Sequence, residues 1–217
     1  MELVRVDTQR AYQEIRKKII TLELPPGSPI DEGKLADEFD MGVLPIREAI
    51  KLLAHEHLVD IPPHGIYVSD VNIPDLEEIS EVRVLLESFC ARQAAKRADA
   101  DDLIVLETLC EEMTSIPQSE SMRLFNIDHK FHQAIAQAAH NKYLAQTLER
   151  FYGLSQRLWY LVLPELGFLP ASVEEHLELV KVIISCDSDK AEQIMYDHVN
   201  GFYDKVREIL LNKIKEK

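Results

Sequence analysis

The sequence predicts a mainly α-helical protein in two parts, a small N-terminal part that ends in a β-hairpin and a larger part that is helical throughout. Short amphipathic segments and two β-like pieces occupy residues 1–72, and the β signal disappears after residue 72. The chain has 217 residues, of which 46% are hydrophobic and 29% are charged, as in ordinary soluble globular proteins. We therefore expect two domains, at 1–72 and 73–217.

The N-terminal part is expected to contain three helices. The first spans 8–22, where apolar residues recur at helical spacing, and Leu24-Pro25-Pro26-Gly27 ends it because proline disfavours helix at and before its own position. The second covers 31–39, with acidic residues in its first turn. The third runs from about 44 to 57 and places Pro45 in its first turn, where proline is tolerated.

Two short β-like pieces follow at 58–61 and 66–69, separated by the turn Pro62-Pro63-His64-Gly65. Three helices followed by a hairpin is the element order of a winged helix-turn-helix, a DNA-binding fold. The charge is unusual for such a fold, since residues 1–72 hold eight Lys/Arg against thirteen Asp/Glu and the whole chain has a net charge of −14. DNA affinity must therefore come from a local basic cluster, doubled by dimerisation.

The C-terminal part is expected to form an all-α bundle of six helices with its own core, after a linker at 72–75. The breaks between the helices are polar or contain proline. The fourth helix is unusually apolar, which indicates core, with an effector pocket or a dimer interface as alternatives. The six segments are 75–98, 101–115, 120–139, 142–163, 171–186 and 189–214.

Composition also excludes some classes of protein. No apolar run is long enough to span a membrane, and the N-terminus lacks the apolar core of a secretory signal, so we expect a cytoplasmic protein. The three cysteines, Cys90, Cys110 and Cys186, fit no zinc or redox spacing. They are expected to be buried, reduced thiols on helices.

Four residues of the C-terminal part form a candidate metal site. Asp128 and His132 are four residues apart and project from one face of a predicted helix, and His176 and His198 lie on two later helices. One carboxylate and three imidazoles are suitable ligands for zinc, nickel, manganese or iron(II). On a five- or six-coordinate ion, one or two positions would stay open for water or a small carboxylate. A single histidine is more often a surface or core residue, so residue types alone leave both interpretations open.

The N-terminal sequence resembles the GntR family of bacterial regulators. The similarity lies in Leu35-Ala36-Asp37-Glu38-Phe39, Pro45-Ile46-Arg47-Glu48-Ala49-Ile50-Lys51-Leu52-Leu53 and His64-Gly65-Ile66-Tyr67-Val68. The resemblance implies that the third helix enters the major groove of double-stranded DNA, with Arg47 contacting a base or phosphate and His64 and Gly65 at the wing tip. Lys34 and Lys51 are further candidate DNA-binding residues. Where the family usually has a Ser/Thr-Arg pair, this chain has Gly42 and Val43, so a hydroxyl and a base-reading guanidinium are missing.

Residues 75–210 resemble the FCD domain found in one branch of that family, through Asp128-x-x-Phe131-His132, Glu175-His176 and Ala191-x-x-x-Met195-x-x-His198. In metal-binding members these positions hold the ion, so the resemblance implies a divalent metal cofactor at Asp128, His132, His176 and His198, with zinc as the first candidate. The FCD resemblance also places Arg83 at the cavity, where a guanidinium beside a metal would bind an organic acid effector. The alternative is a surface arginine paired with Glu87 one turn later.

These expectations define three hypotheses of function. The first is a homodimeric regulator whose binding to a palindromic operator is modulated by a small carboxylate at the metal site. The second is a sensor or interaction protein with weakened or lost DNA binding, motivated by Gly42, Val43 and the acidic N-terminal part. The third is a metal-dependent hydrolase, for which only Glu175 offers a nearby base. We expect a protein that is not an enzyme.

Overall fold

The computed structural model describes residues 2–166 and 170–215, which contain nine helices and one two-stranded antiparallel sheet. The predicted mainly α fold class is confirmed. Two compact units divide the chain, one comprising residues 1–72 with 156–160 and the other comprising 73–155 with 161–217. Within the described ranges, no helix combines the length and the apolar character that crossing a membrane requires.

The first unit contains α1 (Glu2–Ile20), α2 (Glu32–Glu38), α3 (Val43–His55), β1 (Val59–Asp60) and β2 (Tyr67–Val68). Helix α1 packs against α3. Ala11, Ile15 and Ile19 of α1 are fully buried, as are Ile46 and Leu53 of α3, so these apolar faces form the core of the unit. Helix α1 begins six residues before the predicted start, because no proline or glycine at 2–7 stops it although the apolar pattern begins only at residue 11.

The hairpin forms as predicted, and its register pairs Val59 with Val68. The chain before α2 also joins it, because Pro29 forms an isolated antiparallel bridge with Tyr67. At the turn, a Cβ added to Gly65 would lie 2.9 Å from Cε2 of Tyr67, so the wing requires glycine at this position.

The helices α2 and α3 begin differently. Asp31 caps α2, since its Oδ1 accepts hydrogen bonds from the backbone N–H groups of Gly33 (2.9 Å) and Lys34 (3.1 Å). Gly42 occupies the corresponding position before α3 and provides no side-chain cap. The helix expected to enter DNA therefore starts without the hydroxyl that a Ser or Thr at position 42 would supply.

Six further helices form the second unit, except that residues 156–160 of α7 are grouped with the first. They are α4 (Ile73–Arg97), α5 (Ala100–Ser115), α6 (Ser121–Ala138), α7 (Lys142–Leu166), α8 (Pro170–Ile184) and α9 (Ser188–Lys215). The six predicted helices are confirmed, with ends that differ by three residues or fewer. The expected linker at 72–75 is largely wrong, because residues 73–75 form the first turn of α4. A proline is tolerated there since its missing N–H would have no partner in the helix.

Helix α4 packs along α9, and α6 contacts both α4 and α5, while α8 contacts α5 and α9. The inner face of α6 is buried at helical spacing, from Leu124 through Phe131 to Ile135. Asp128 and His132 interrupt this apolar face and are themselves 6% and 3% exposed. Polar groups buried at the centre of a bundle require partners.

The cysteines follow the expectation only in part. Cys90 and Cys110 are buried on α4 and α5, and all three thiols are unpaired with one another. Cys186 is exposed, because it lies in the turn after α8 with a φ of 59°. The expectation of a buried helical thiol at position 186 is therefore wrong.

Candidate metal centre

Three helices of the second unit bring four candidate ligands together. Helix α6 supplies Asp128 and His132, α8 supplies His176, and α9 supplies His198. One donor atom from each residue lies within 4.8 Å of the others. All four residues are buried, with at most 8% of their surface exposed. The cluster therefore lies in the interior of the bundle.

The donor atoms are spaced as ligands of one ion would be. Nε2 of His198 lies 3.1 Å from Nε2 of His176 and 3.3 Å from Nε2 of His132. Oδ1 of Asp128 lies 3.5 Å from Nε2 of His176. Two nitrogen donors bonded to one zinc ion at about 2.0–2.1 Å lie about 2.9–3.4 Å apart for bond angles of about 90–110°, a range that includes ions with a fifth, open position.

The second ring nitrogen of each histidine, Nδ1, contacts a residue outside the cluster. Nδ1 of His132 lies 2.5 Å from Oε2 of Glu87, and Nδ1 of His198 lies 2.6 Å from Oε2 of Glu175. Nδ1 of His176 lies 3.3 Å from Sδ of Met113. Carboxylates accept hydrogen bonds, so in the neutral imidazoles of His132 and His198 the proton lies on Nδ1 and Nε2 presents a lone pair.

In these neutral tautomers, the Nε2 lone pairs of His132 and His198 face each other at 3.3 Å with no proton between them. A cation between them removes the repulsion, and imidazole and carboxylate donors suit a divalent transition metal. The residues present therefore fit such an ion.

Burial and neighbouring charges set the protonation of the cluster. Burial lowers the pKa of His176 well below its usual value, and the nearby His198 and His132 lower it further, so His176 is neutral. Burial raises the pKa of the Asp128 carboxyl, while His132 and His198 oppose that change. Burial also lowers the pKa of His132, but the charge and hydrogen bond of Glu87 outweigh it and raise that pKa.

Arg83 lies in the same buried network and is 1% exposed. Its Nε donates to Oε1 of Glu87 at 2.6 Å, and its Nη1 donates to the Tyr203 hydroxyl at 3.1 Å. The guanidinium carbon is 4.7 Å from the ring centroid of Tyr152, whose hydroxyl donates to Oε2 of Glu87 at 3.2 Å. Burial raises the pKa of Glu87, yet the charges of Arg83 and His132 outweigh burial and hold that pKa at about 2.

The structure corrects the surface interpretation of Arg83 and leaves the effector interpretation untested. The pairing with Glu87 is present, but it lies inside the bundle and not on the helix surface that the alternative assumed. Direct contact of Arg83 with an effector stays a prediction. The sequence did not identify Glu87, Tyr152 or Met113 as partners of the cluster, since they reach it only through tertiary packing.

Comparison with known families decides the class of the protein. Residues 78–201 match the model of the FCD domain, and residues 7–68 match the model described as bacterial regulatory proteins, gntR family. The chain belongs to the GntR family, in its FCD branch. It is therefore a DNA-binding transcription regulator and not an enzyme, and the hydrolase hypothesis is set aside.

Individual GntR-family relatives align over most of this chain. The HTH-type transcriptional repressor RspR of Escherichia coli K12 is 26% identical over 203 residues, covering 93% of this chain and 89% of its own. The galactonate operon transcriptional repressor of the same organism is 28% identical over 230 residues, covering 93% and 97%. Among solved structures, McbR/YncC of E. coli aligns with a TM-score of 0.82 at 18% identity, covering 93% of this chain and 97% of that one, which supports the fold.

The candidate DNA-binding residues of this GntR-family chain lie on exposed surfaces of the first unit. Arg47 on α3 is paired with Glu32 on α2, through Nε to Oε1 at 2.9 Å and Nη2 to Oε2 at 3.1 Å. Lys51, one turn further along α3, donates to Glu48 at 2.8 Å. Lys34 is exposed on α2, and His64 and Gly65 lie in the turn between β1 and β2.

A second group of possible ligands, Asp99, Asp102 and His140, lies on the surface of the FCD domain. Asp99 caps α5 and Asp102 completes its capping box, so both carboxylates already accept backbone hydrogen bonds. Nε2 of His140 lies 2.7 Å from Oδ2 of Asp102. These contacts join the start of α5 to the end of α6 and account for the group without an ion.

Proposed function

We propose that the protein is a homodimeric repressor that binds a palindromic operator and responds to a small organic acid through a divalent metal in its FCD domain. The observation that carries this proposal is the convergence of Asp128, His132, His176 and His198 within one buried cluster. Repression is supported by relatives named as repressors, among them RspR and the galactonate operon repressor. A homodimer would place two winged helices on two operator half-sites.

The metal would be held by the Asp128 carboxylate and the three Nε2 atoms. Zinc is the first candidate, and nickel, manganese and iron(II) are the alternatives. When bound, the ion would supply a positive charge and an open coordination position. Glu87 and Glu175 orient His132 and His198, which keeps their Nε2 lone pairs directed at the centre.

Charge inside the bundle favours an anionic effector. Arg83 and Glu87 form an ion pair and neutralise one another, and Asp128 would offset one of the two charges of a divalent ion. Metal-bound imidazoles are neutral and add no charge, and the Glu175 carboxylate lies on the far side of the His198 ring with a side chain that is 46% exposed. The buried centre itself would therefore keep a positive charge for the ligand. Two relatives are named for the galactonate and gluconate operons, whose names denote sugar acids, and a carboxylate of that class suits this site.

The FCD domain would control DNA binding only if the effector binds the operator-competent and incompetent arrangements with different affinity. A ligand that binds both arrangements equally would leave repression unchanged. Since the effector is proposed to bind at the metal site, regulation would begin there and reach the DNA-binding surface through the change of arrangement.

Metal content tests the proposal directly. Wild-type protein should contain about one metal ion per chain by inductively coupled plasma mass spectrometry, and His176→Ala should lose most of it. His140→Ala is the matched control, since it removes a histidine of the surface group and should leave the metal content unchanged. Gluconate and citrate titrated by calorimetry should bind the loaded protein and lose affinity when the metal is stripped. Equal metal in wild type and His176→Ala, or equal acid affinity with and without metal, would contradict the proposal.

A further inference from the structure

The Arg47–Glu32 pair is a two-bond contact between α2 and α3, whereas the neighbouring Lys51–Glu48 pair has a single contact within α3. Glu32 lies in the first turn of α2 and Arg47 in the second turn of α3, fifteen residues apart in the chain. Both carboxylate oxygens accept, one from Nε at 2.9 Å and the other from Nη2 at 3.1 Å. Two parallel bonds fix the plane of the guanidinium as well as its position.

The bidentate contact leaves the outer edge of the guanidinium available. A guanidinium has five N–H donors, of which Glu32 takes one on Nε and one on Nη2. The two donors on Nη1 and the second donor on Nη2 remain. Two parallel N–H groups on that edge match O6 and N7 of guanine in the major groove.

Pairing also limits the motion of the arginine. The Arg47 side chain is 54% exposed, whereas that of Glu32 is 22% exposed. A half-exposed arginine on a helix surface samples many rotamers, and ordering it on DNA costs conformational entropy. The less exposed Glu32 holds the guanidinium before DNA arrives, so less entropy is lost at binding.

The Glu32 carboxylate lowers the affinity of the protein for non-specific DNA. It places negative charge next to a surface expected to approach phosphates, and it is one of the thirteen acidic residues that give residues 1–72 a net charge of −5. Neutralising Arg47 weakens sequence-independent phosphate contacts, which depend on counterion release. On a specific site, a guanine whose O6 and N7 face the free edge of Arg47 accepts two directional hydrogen bonds, which compensates for the weaker phosphate contacts. A random sequence offers no such compensation.

We propose that Glu32 determines sequence specificity by holding Arg47 for two-bond recognition of guanine while lowering the affinity of the protein for non-specific DNA. This inference rests on the operator binding proposed above. It identifies Glu32 as a positioning residue that acts on DNA through Arg47.

A neighbouring ion pair provides the matched control. Lys51 donates to Glu48 through one contact at 2.8 Å between residues three apart on the same helix. Glu48→Gln removes the same unit of charge from the same domain and leaves the Arg47–Glu32 contact intact. Glu32→Asp keeps the charge but shortens the side chain, so it separates geometry from charge.

The experiment is selection from a randomised duplex library with the full-length, metal-loaded protein, followed by affinity measurements on the selected duplex at several salt concentrations. Wild type should select a site with a guanine whose replacement weakens binding roughly tenfold or more. In Glu32→Gln and Glu32→Asp that discrimination should fall to about twofold, and Glu32→Gln should bind a mixed-sequence duplex as tightly as wild type or more tightly. Glu48→Gln should keep the discrimination.

Three results would overturn the inference: undiminished guanine preference in Glu32→Gln, an equal loss in Glu48→Gln, or a wild-type site without a guanine that depends on Arg47. If wild type selects no sequence at all, even at low salt, the proposed operator binding itself fails. Thermal unfolding of each variant verifies that a lost preference does not reflect a lost fold.

Discussion

Nδ1 of His132 lies 2.5 Å from Oε2 of Glu87, whose other oxygen accepts a hydrogen bond from Arg83. One carboxylate thus neutralises a buried cation and orients a candidate metal ligand. Glu87 is 1% exposed and Arg83 is 1% exposed, so neither charge is solvated by bulk water. The stability of the FCD domain and the geometry of its metal site therefore depend on the same side chain.

Glu87→Gln should consequently destabilise the protein strongly. The substitution leaves the Arg83 charge buried without its counter-charge, and breaking such a pair costs about 3–5 kcal/mol. Urea denaturation followed by circular dichroism measures the loss. The double variant Arg83→Met with Glu87→Gln should recover much of it, because no uncompensated charge remains. A Glu87→Gln midpoint equal to that of wild type would contradict the buried ion pair.

Glu175→Gln should separate metal affinity from stability. Glu175 also contacts an imidazole, since its Oε2 lies 2.6 Å from Nδ1 of His198, but its side chain is 46% exposed and its loss leaves no buried charge. Loss of an outer carboxylate partner lowers metal affinity roughly 10–100-fold. Competition with a metal-binding dye measures that change, and the urea midpoint of the metal-free protein should stay close to wild type. Glu174→Gln, on the neighbouring position of α8, is the control and should not alter metal affinity.

Local pattern predicted some parts of this site and not others. Asp128 and His132 lie on one face because helical geometry places residues four apart together, and that relation needs no tertiary information. His176 and His198 were candidates by residue type and helix position, the resemblance to the FCD domain favoured them as ligands, and the structure brings both to the cluster. Glu87 was considered only as a partner of Arg83 at helical spacing.

The partners that the sequence did not reveal are those set by packing between helices. Nothing near Met113 in the sequence relates it to His176, which is 63 residues away. Glu32 and Arg47 are equally unrelated by helical or strand periodicity, and they meet because α2 packs against α3. The exposed Cys186 was mispredicted for a similar reason, since the exact end of α8 depends on its turn into α9.

The thiols should react at very different rates. Burial raises the pKa of Cys90 to about 12 and that of Cys110 to about 11, and the thiolate is the reactive form. At pH 8 both therefore remain protonated as well as inaccessible, while Cys186 is exposed. Titration with Ellman's reagent should give one fast thiol per native chain and three per denatured chain. Cys186→Ser should remove the fast phase, and any fast thiol that remains in that variant would contradict the burial of Cys90 and Cys110.

Val43→Arg should restore a cation at the start of α3. Val43 is 41% exposed and Gly42 before it supplies no side-chain cap, so a long basic side chain fits without disturbing the core. One added phosphate contact should steepen the slope of log affinity against log salt by about 0.9 and tighten binding to a mixed-sequence duplex at low salt. Val6→Arg is the control, because Val6 is 61% exposed on α1 and the substitution adds the same charge outside α3. Fluorescence anisotropy over a salt series measures both variants, and equal slopes for the two would show that the start of α3 does not approach the DNA backbone.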